Sequence, residues 1–227
     1  MREANIKGAI FDMDGVIFDS EKKWQEAFLL ANRKYGLTFD EEYRRGMCGK
    51  EESLIRAQLR ADFPGLDADA YRDECAAYVR AKAEAGEVDM KPGFPELIAY
   101  LRENGYRIAL ATSTPEPSAA KLFQCKGLDM YRVFDACAFG NEVKGRGKPN
   151  PDIFELAASR ISLPCESCVV LEDSRNGIRA AAAAGAVPVM VIDLIPPDDF
   201  CLAHAHRILG NLGEVPAVLA ELDRTAE

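Results

Sequence analysis

The sequence predicts an α/β protein: a doubly wound, mainly parallel sheet whose chain is interrupted early by an all-helical insert. Three observations carry this expectation. From about residue 90 onward, short apolar runs alternate with segments of helical periodicity, the pattern of right-handed crossovers between parallel strands. Between about 20 and 90 no convincing strand occurs, and apolar residues recur only at helical spacing. One further strand stands alone before that gap, so the sheet draws on residues from both sides of it.

That first strand is the run IKGAIF at 6–11, which stops at Asp12 and reads as buried. From Glu21 to Tyr35, the residues Trp24, Ala27, Phe28, Ala31 and Tyr35 share a helical face. Helices follow near 51–62 and 67–85, separated by turn signals such as FPGLD. After Lys91-Pro92-Gly93 the pattern changes. A helix over 94–103 ends at Asn104-Gly105, a good C-terminal stop. Then come a strand at Arg107–Ala111, a helix at 116–125, a strand at 133–138 and a helix at 151–160. A strand at 168–171, a helix at 175–184 and a strand at 187–192 complete the set. The Ala180–Ala184 run reads as a tightly packed helix rather than a linker. The expected division is a sheet core from 1–18 and 90–227, with residues 19–89 inserted.

The 227 residues are 48% hydrophobic, enough for a sizeable core without disulfides. A net charge of -9 leaves no surplus to neutralise nucleic acid or an anionic membrane, although a small basic pocket for one phosphate is compatible with it. No stretch is apolar enough to span a bilayer, and the N-terminus does not read as a secretion signal. Seven scattered cysteines suit reduced thiols, so the cytoplasm is the expected compartment. A monomer suffices for this architecture.

Ligands of parallel α/β sheets gather at the carboxyl ends of the strands. Those ends carry Asp12 and Asp14 in FDMDGVIFDS, Thr112 to Thr114 in LATST, Lys148-Pro149, and Glu172-Asp173 in VVLEDS. The inventory suits phosphoryl transfer to a carboxylate. A hard cation such as Mg²⁺ prefers oxygen ligands. Asp12, Glu172, Asp173 and the backbone carbonyl of Asp14 could supply them, offsetting the repulsion between Asp12 and a phosphate. Asp12 would then form an aspartyl-phosphate, and Asp14 would exchange a proton with the leaving oxygen. Thr112 and the Ser113 amide could hydrogen-bond phosphate oxygens, and Lys148 adds positive charge. Gly15 lets the chain turn out of the strand, and the insert then hangs over the mouth of the site.

These motifs resemble the haloacid dehalogenase superfamily, in its subgroup with a helical cap inserted after the first motif. The resemblance covers nearly the whole chain. DMDGVIFDS (12–20), LATST (110–114), GKPNPDIF (147–154) and LEDSRNGIRAAAAAG (171–185) stand in the family's order. Within the superfamily, the chain is similar to beta-phosphoglucomutase-like proteins and sugar-phosphate phosphatases. The resemblance implies a Rossmann-like core with an α-helical cap domain. It also implies Asp12 as nucleophile, Asp14 as acid/base, Thr112 and Lys148 as phosphate ligands, and Glu172 with Asp173 as magnesium ligands. Family members that break carbon–halogen or phosphonate bonds lack an aspartate at position 14, so its presence favours phosphate esters. Beta-phosphoglucomutase carries a histidine on the first cap helix where this chain has Trp24. The only histidines here are His204 and His206. Hydrolysis of a small phosphate monoester, such as a sugar phosphate, is therefore expected over a phosphomutase. A non-catalytic binding protein is a third reading, disfavoured by intact Asp12, Asp14, Lys148 and Asp173.

Other residues have bland readings beside sharp ones. Trp24 is expected to pack within the cap, with stacking on a sugar as the alternative. Ser20 begins the first cap helix as a candidate N-cap and substrate-side contact. Lys50 in MCGKEES reads as a substrate-loop lysine, with Glu51 and Glu52 facing solvent. Cys165 and Cys168 form a single C-x-x-C; packing is favoured over a zinc site shared with Cys201, His204 and His206.

Overall fold

A computed structural model describes residues 5–39, 41–48, 50 and 52–224. Strand β1 (Gly8–Phe11) comes first. Helices α1 (Glu21–Tyr35), α2 (Glu41–Arg45), α3 (Glu52–Asp62) and α4 (Ala68–Glu84) follow, with no strand between them among the described residues. The chain then alternates: α5 (Phe94–Glu103), β2 (Arg107–Thr112), α6 (Glu116–Cys125), α7 (Met130–Val133), β3 (Ala136–Phe139) and α8 (Asp152–Arg160). It ends with β4 (Cys168–Glu172), α9 (Arg175–Ala183), β5 (Val187–Val191), α10 (Asp199–His204), β6 (Arg207–Leu209) and α11 (Val215–Arg224).

The strands form one sheet of order β3-β2-β1-β4-β5-β6, parallel throughout. This is a Rossmann-like, doubly wound sheet. The order reverses at β1, which lies between β2 and β4, and ligand crevices open at the carboxyl ends beside such a switch point.

The two-residue period of the strands splits their side chains between two cores. Ala9, Phe11, Ile108, Leu110, Val169 and Leu171 join the core that also takes in residues of α5, α6 and α11. Phe11, Phe94, Phe123 and Phe134 interlock there, with Phe11 and Phe94 edge to face at 5.8 Å. Ile10, Ala109, Ala111, Cys168 and Val170 point the other way, under α8 and α9. Small side chains dominate that face: Ala109, Ala111 and Ala138 meet Ala157, Ala158, Ala180 and Ala181. The alanine run is thus packed helix, close against the sheet.

The helices between β1 and α5 bury a separate core. Phe28 of α1, Leu59 of α3 and Tyr71 and Val79 of α4 belong to it. Tyr71 places its hydroxyl on Asn32 Oδ1 at 2.7 Å, so even this buried polar atom is satisfied. The two chain crossings that tie this unit to the sheet meet at Phe18 and Met90, which form an antiparallel bridge.

Two expectations change. The strand expected over 133–138 starts only at Ala136, because Asp129 accepts a hydrogen bond from the Tyr131 amide and starts the helical turn α7 instead. Past Ile192 the chain adds α10, β6 and α11, all outside the predicted set. Helix α11 buries Val215, Val218, Leu219 and Leu222, a regular helical stripe. No helix among the described residues is long and apolar enough to cross a membrane.

Phe94 is 1% exposed at the centre of the aromatic group. Phe94→Ala is expected to lower the unfolding free energy by about 3–5 kcal/mol in urea titrations. A loss below about 1 kcal/mol would show that the interlocked rings do not anchor the core.

Candidate active site

Strand register assembles the site. Phe11 pairs with Leu110 on one side and Leu171 on the other, so Asp12 stands level with Ala111 and Glu172. Lys148, in the loop between β3 and α8, is fully buried and reaches all three. Its ammonium donates to Asp12 Oδ1 at 2.6 Å, Glu172 Oε1 at 2.7 Å and the Ala111 carbonyl at 3.2 Å. An ammonium has three donors, and all are used. The other Glu172 oxygen accepts from the Ser174 amide at 2.8 Å and its hydroxyl at 3.0 Å. That hydroxyl in turn accepts from the Gly177 amide, capping α9.

Two glycines make room for these acids. A Cβ on Gly177 would lie 1.8 Å from the Glu172 carboxyl carbon. Gly15, at φ +78°, brings the turn after β1 against Asp173, where a Cβ would lie 2.2 Å from a carboxylate oxygen.

Asp14 is held differently. One carboxylate oxygen accepts from the Ser20 hydroxyl at 2.5 Å and the other from the Thr114 hydroxyl at 2.6 Å. The Thr114 amide donates to Thr112 Oγ1 at 3.0 Å. Ser20 therefore departs from both of its expected roles. It sits at the N-cap position of α1 but makes no side-chain cap bond, and it is fully buried outside the cavity wall, committed to Asp14. Its carboxylate is so engaged that it stands apart from the acid trio of Asp12, Glu172 and Asp173.

A cavity of about 330 Å³ opens between the sheet and the helical insert. Asp12, Asp14, Asp173 and Ser113 line it from the sheet, and Trp24, Lys50 and Arg72 from the insert. Trp24 both packs against Phe28 and faces the cavity. Lys50 donates to Gln58 Oε1 at 2.7 Å. Glu52 is half-buried rather than simply solvent-facing: Arg72 grips it with two hydrogen bonds and it lines the same cavity. Glu51 lies outside the described residues. Thr112 and Lys148 are buried behind the wall, the first beside Thr114 and the second saturated by acids.

Further site residues escaped the sequence reading. Glu21, the first residue of α1, turns into the cavity, where Arg44 approaches it at 3.5 Å. Neither carries a sequence signal, since charged residues on short polar helices read as surface. Asn176 of α9 donates to the Cys48 carbonyl at 2.8 Å and ties the insert to the sheet beside the site.

Negative charge exceeds its local compensation. Oxygens of Asp12, Glu172 and Asp173 lie within 4.8 Å of one another, all buried. Burial pushes the Asp12 carboxyl up to about 8 against the pull of Lys148, and Glu172 and Asp14 add to the rise. Burial also pushes Asp173 well above the carboxylate range, reinforced by Glu172, Glu21, Asp12 and Asp193. Glu21 rises to about 7 through burial and Asp14, although Arg44 opposes. Burial disfavours the Lys148 charge, but Asp12 and Glu172 outweigh it and hold the lysine protonated. An oxygen-only donor set with surplus negative charge fits a hard divalent cation.

The cysteines do not form a rival site. Cys165 and Cys168 pack in the core beneath α8 and α9, while Cys201 packs with Ile178 and Met190. His204 stacks on Phe200 at 3.9 Å. The acid trio is the one candidate metal group among the described residues.

The chain matches the family of haloacid dehalogenase-like hydrolases over residues 6–185. It is 34% identical to the protein CbbY of Cereibacter sphaeroides, across 97% of this chain and 98% of that protein. It is 33% identical to a phosphorylated carbohydrates phosphatase of Thermotoga maritima, across 79% of this chain and 82% of that protein. A crystal structure of a CbbY mutant from Rhodobacter sphaeroides in complex with xylulose-(1,5)bisphosphate has a TM-score of 0.78 at 28% identity, covering 92% of this chain and 96% of that one.

The raised carboxyls set a pH dependence. Asp12 moves from 3.8 to about 8 and Glu21 from 4.5 to about 7 on folding. Groups raised in the folded state favour folding most below their unfolded values, and that contribution is lost as pH rises through the folded ones. In chelator, the thermal unfolding midpoint is expected to fall between pH 5 and pH 8. Excess Mg²⁺ is expected to flatten that slope. A flat profile in chelator would contradict the charge surplus.

Proposed function

The chain belongs to the haloacid dehalogenase-like hydrolases, and from that premise we propose that it is a magnesium-dependent phosphatase of a small sugar phosphate, acting through an aspartyl-phosphate on Asp12. The observation that carries the reading is the placement of Asp12: in the wall of the cavity between sheet and insert, one oxygen fixed by Lys148, with Asp14 in the same wall. Similarity to the carbohydrate phosphatase and to the CbbY structure that holds xylulose-(1,5)bisphosphate supports a phosphorylated sugar, and a cavity of about 330 Å³ suits a small ligand.

In this reading, Asp12, Asp173 and the Asp14 carbonyl would hold the cation, with Glu172 completing the acidic set. Bound Mg²⁺ would neutralise charge between the phosphate and Asp12. Lys148 keeps Asp12 in place and offers charge to the phosphoryl oxygens as Asp12 Oδ1 loses its own. The free Asp12 oxygen attacks phosphorus, and the bond to the leaving oxygen breaks. Asp14 protonates that oxygen and then takes a proton from a water that attacks the same phosphorus, breaking the bond from phosphorus to Asp12 and releasing inorganic phosphate. Its partners suit both states: hydroxyls of Ser20 and Thr114 can donate to the carboxylate or accept from the acid. Ser113 binds phosphate oxygens, Trp24 and Lys50 meet the leaving group, and residues 19–89 act as the cap that excludes water. The net charge of -9 and the free cysteines support a cytoplasmic monomer without nucleic-acid or membrane partners.

A mutase reading lacks its histidine. Trp24 occupies the place on α1, and neither His204 nor His206 lines the cavity.

Phosphate release from sugar phosphates is expected with Mg²⁺ and not with chelator. Asp12→Asn is expected to lose at least about 10³-fold in turnover while keeping its circular dichroism spectrum. Full activity in that variant would sink the mechanism. Conversion of a hexose 1-phosphate to its 6-phosphate without phosphate release would replace the phosphatase with a mutase.

A further inference from the structure

We infer that Arg80 of α4 and Lys121 of α6 form a selectivity pair at the mouth of the cavity, drawing anionic ligands in by charge without touching the leaving group. The inference deepens the phosphatase reading by assigning how the site admits an anion, and rests on that reading only for the kinetic part of its test.

The site poses an electrostatic problem. The chain carries a net charge of -9, and Asp12, Asp14 and Asp173 line the cavity at the sheet. A phosphate ester is an anion too, so repulsion opposes its approach before any hydrogen bond can form. Cations elsewhere on the wall are already committed. Arg44 approaches Glu21 at 3.5 Å, and Arg72 holds Glu52 at 2.7 Å. Arg56 meets Glu52 at 2.9 Å and Asp73 at 2.7 Å. Seen from a distance, such pairs are close to neutral. Lys50 is half-buried and donates to Gln58.

Arg80 and Lys121 differ. Each lines the cavity and is also exposed to solvent, which places it at the rim. Neither makes a hydrogen bond, ion pair or ring contact among the described residues. One comes from the insert and the other from the sheet domain, on helices that pack against each other. Lys82 and Lys126, further along the same two segments, are paired with Glu87 and Asp89. The wall beside the free pair is apolar, with Val79 and Ala83 of α4 and Leu122 of α6. Low-dielectric walls focus the field of such charges into the opening. Exposed charges act over about 10 Å at 0.1 M salt and about 3 Å at 1 M. Attraction at the rim is therefore screened by salt, whereas a direct contact inside the cavity is screened much less.

Arg80→Gln with Lys121→Gln removes both charges at exposed positions, where no packing is lost. Phenyl phosphate and fructose 1-phosphate are compared in Mg²⁺. For both esters, kcat/KM is expected to fall about 3- to 10-fold at about 0.02 M ionic strength, with kcat within about 2-fold. At about 0.5 M the loss is expected to shrink below about 2-fold. Loss on one ester alone marks a contact with its leaving group and overturns the inference, as does a loss that salt leaves unchanged or no loss at all. Arg33→Gln with Arg132→Gln lowers the net charge equally, away from the cavity lining. An equal loss in that pair reduces the effect to net charge and overturns the inference as well.

A second readout needs no turnover. Trp24 is the chain's single tryptophan and lines the cavity. Iodide is an anionic quencher of its emission and acrylamide a neutral one. At a constant ionic strength of about 0.1 M, the Arg80→Gln, Lys121→Gln variant is expected to lower the iodide quenching constant about 2- to 3-fold, with that of acrylamide within about 1.2-fold. An unchanged iodide constant, or an equal change with both quenchers, overturns the inference even in a protein that hydrolyses nothing. Selective loss of iodide quenching, in a protein whose wild type releases phosphate from neither ester, supports the anion selectivity and removes the phosphatase reading instead.

Discussion

One buried ammonium organises the centre of this protein. Lys148 has no exposed surface, and its three hydrogen bonds go to Asp12, Glu172 and the Ala111 carbonyl. Each partner stands at the carboxyl end of a different strand position fixed by parallel register. Without a cation between them, Asp12 and Glu172 would be two buried like charges on neighbouring strands. With it, the strands can present an acid to the cavity and keep a second acid as support. A buried ion pair of this kind is weak as a source of stability but strict about geometry.

The surrounding contacts carry that constraint outward. Glu172 is pinned by Ser174, whose hydroxyl also starts α9, and Gly177 is small because the carboxylate fills its side-chain space. Gly15 gives way to Asp173 in the same manner. Asp14 is set by two hydroxyls, one from each side of the crossing into the insert: Ser20 at the start of α1 and Thr114 after β2. The position of Asp14 thus depends on both the start of the insert, through Ser20, and the loop after β2, through Thr114. The remaining charge surplus, with burial raising both Asp12 and Asp173, is one that a bound cation would offset.

Much of this was legible in the sequence, and the reasons are local. Buried parallel strands are continuous apolar runs, so β1, β2, β4 and β5 stood out, and the polar residues that end them stood out as well. The acid pair Asp12 and Asp14, Lys148, and the pair Glu172 and Asp173 do converge as their positions at strand ends required. Direction was not legible. Ser20 occupies an N-cap position, yet its hydroxyl turns to Asp14, a choice made by how the helix docks. Lys148 reads as a phosphate ligand in isolation, while the fold gives all its donors to protein oxygens. Glu21, Arg44, Glu52 and Arg72 sit on charged helices and look like surface; they line one cavity only because four different helices, α1 to α4, pack together, which no local pattern encodes. Strand β6 is three residues long, too short to show a period. Helix α11 did carry its period, in Val215, Val218, Leu219 and Leu222.

The most direct measurement is the stability of Lys148→Met in chelator at pH 8, by urea unfolding. Methionine keeps most of the lysine's volume and removes its charge. If Lys148 holds the two acids together, the variant loses about 3–5 kcal/mol, because Asp12 and Glu172 are left buried and unpaired. The deficit shrinks toward pH 5 as Asp12 protonates. A loss below about 1 kcal/mol, unchanged with pH, would contradict the claim that this ammonium organises the site.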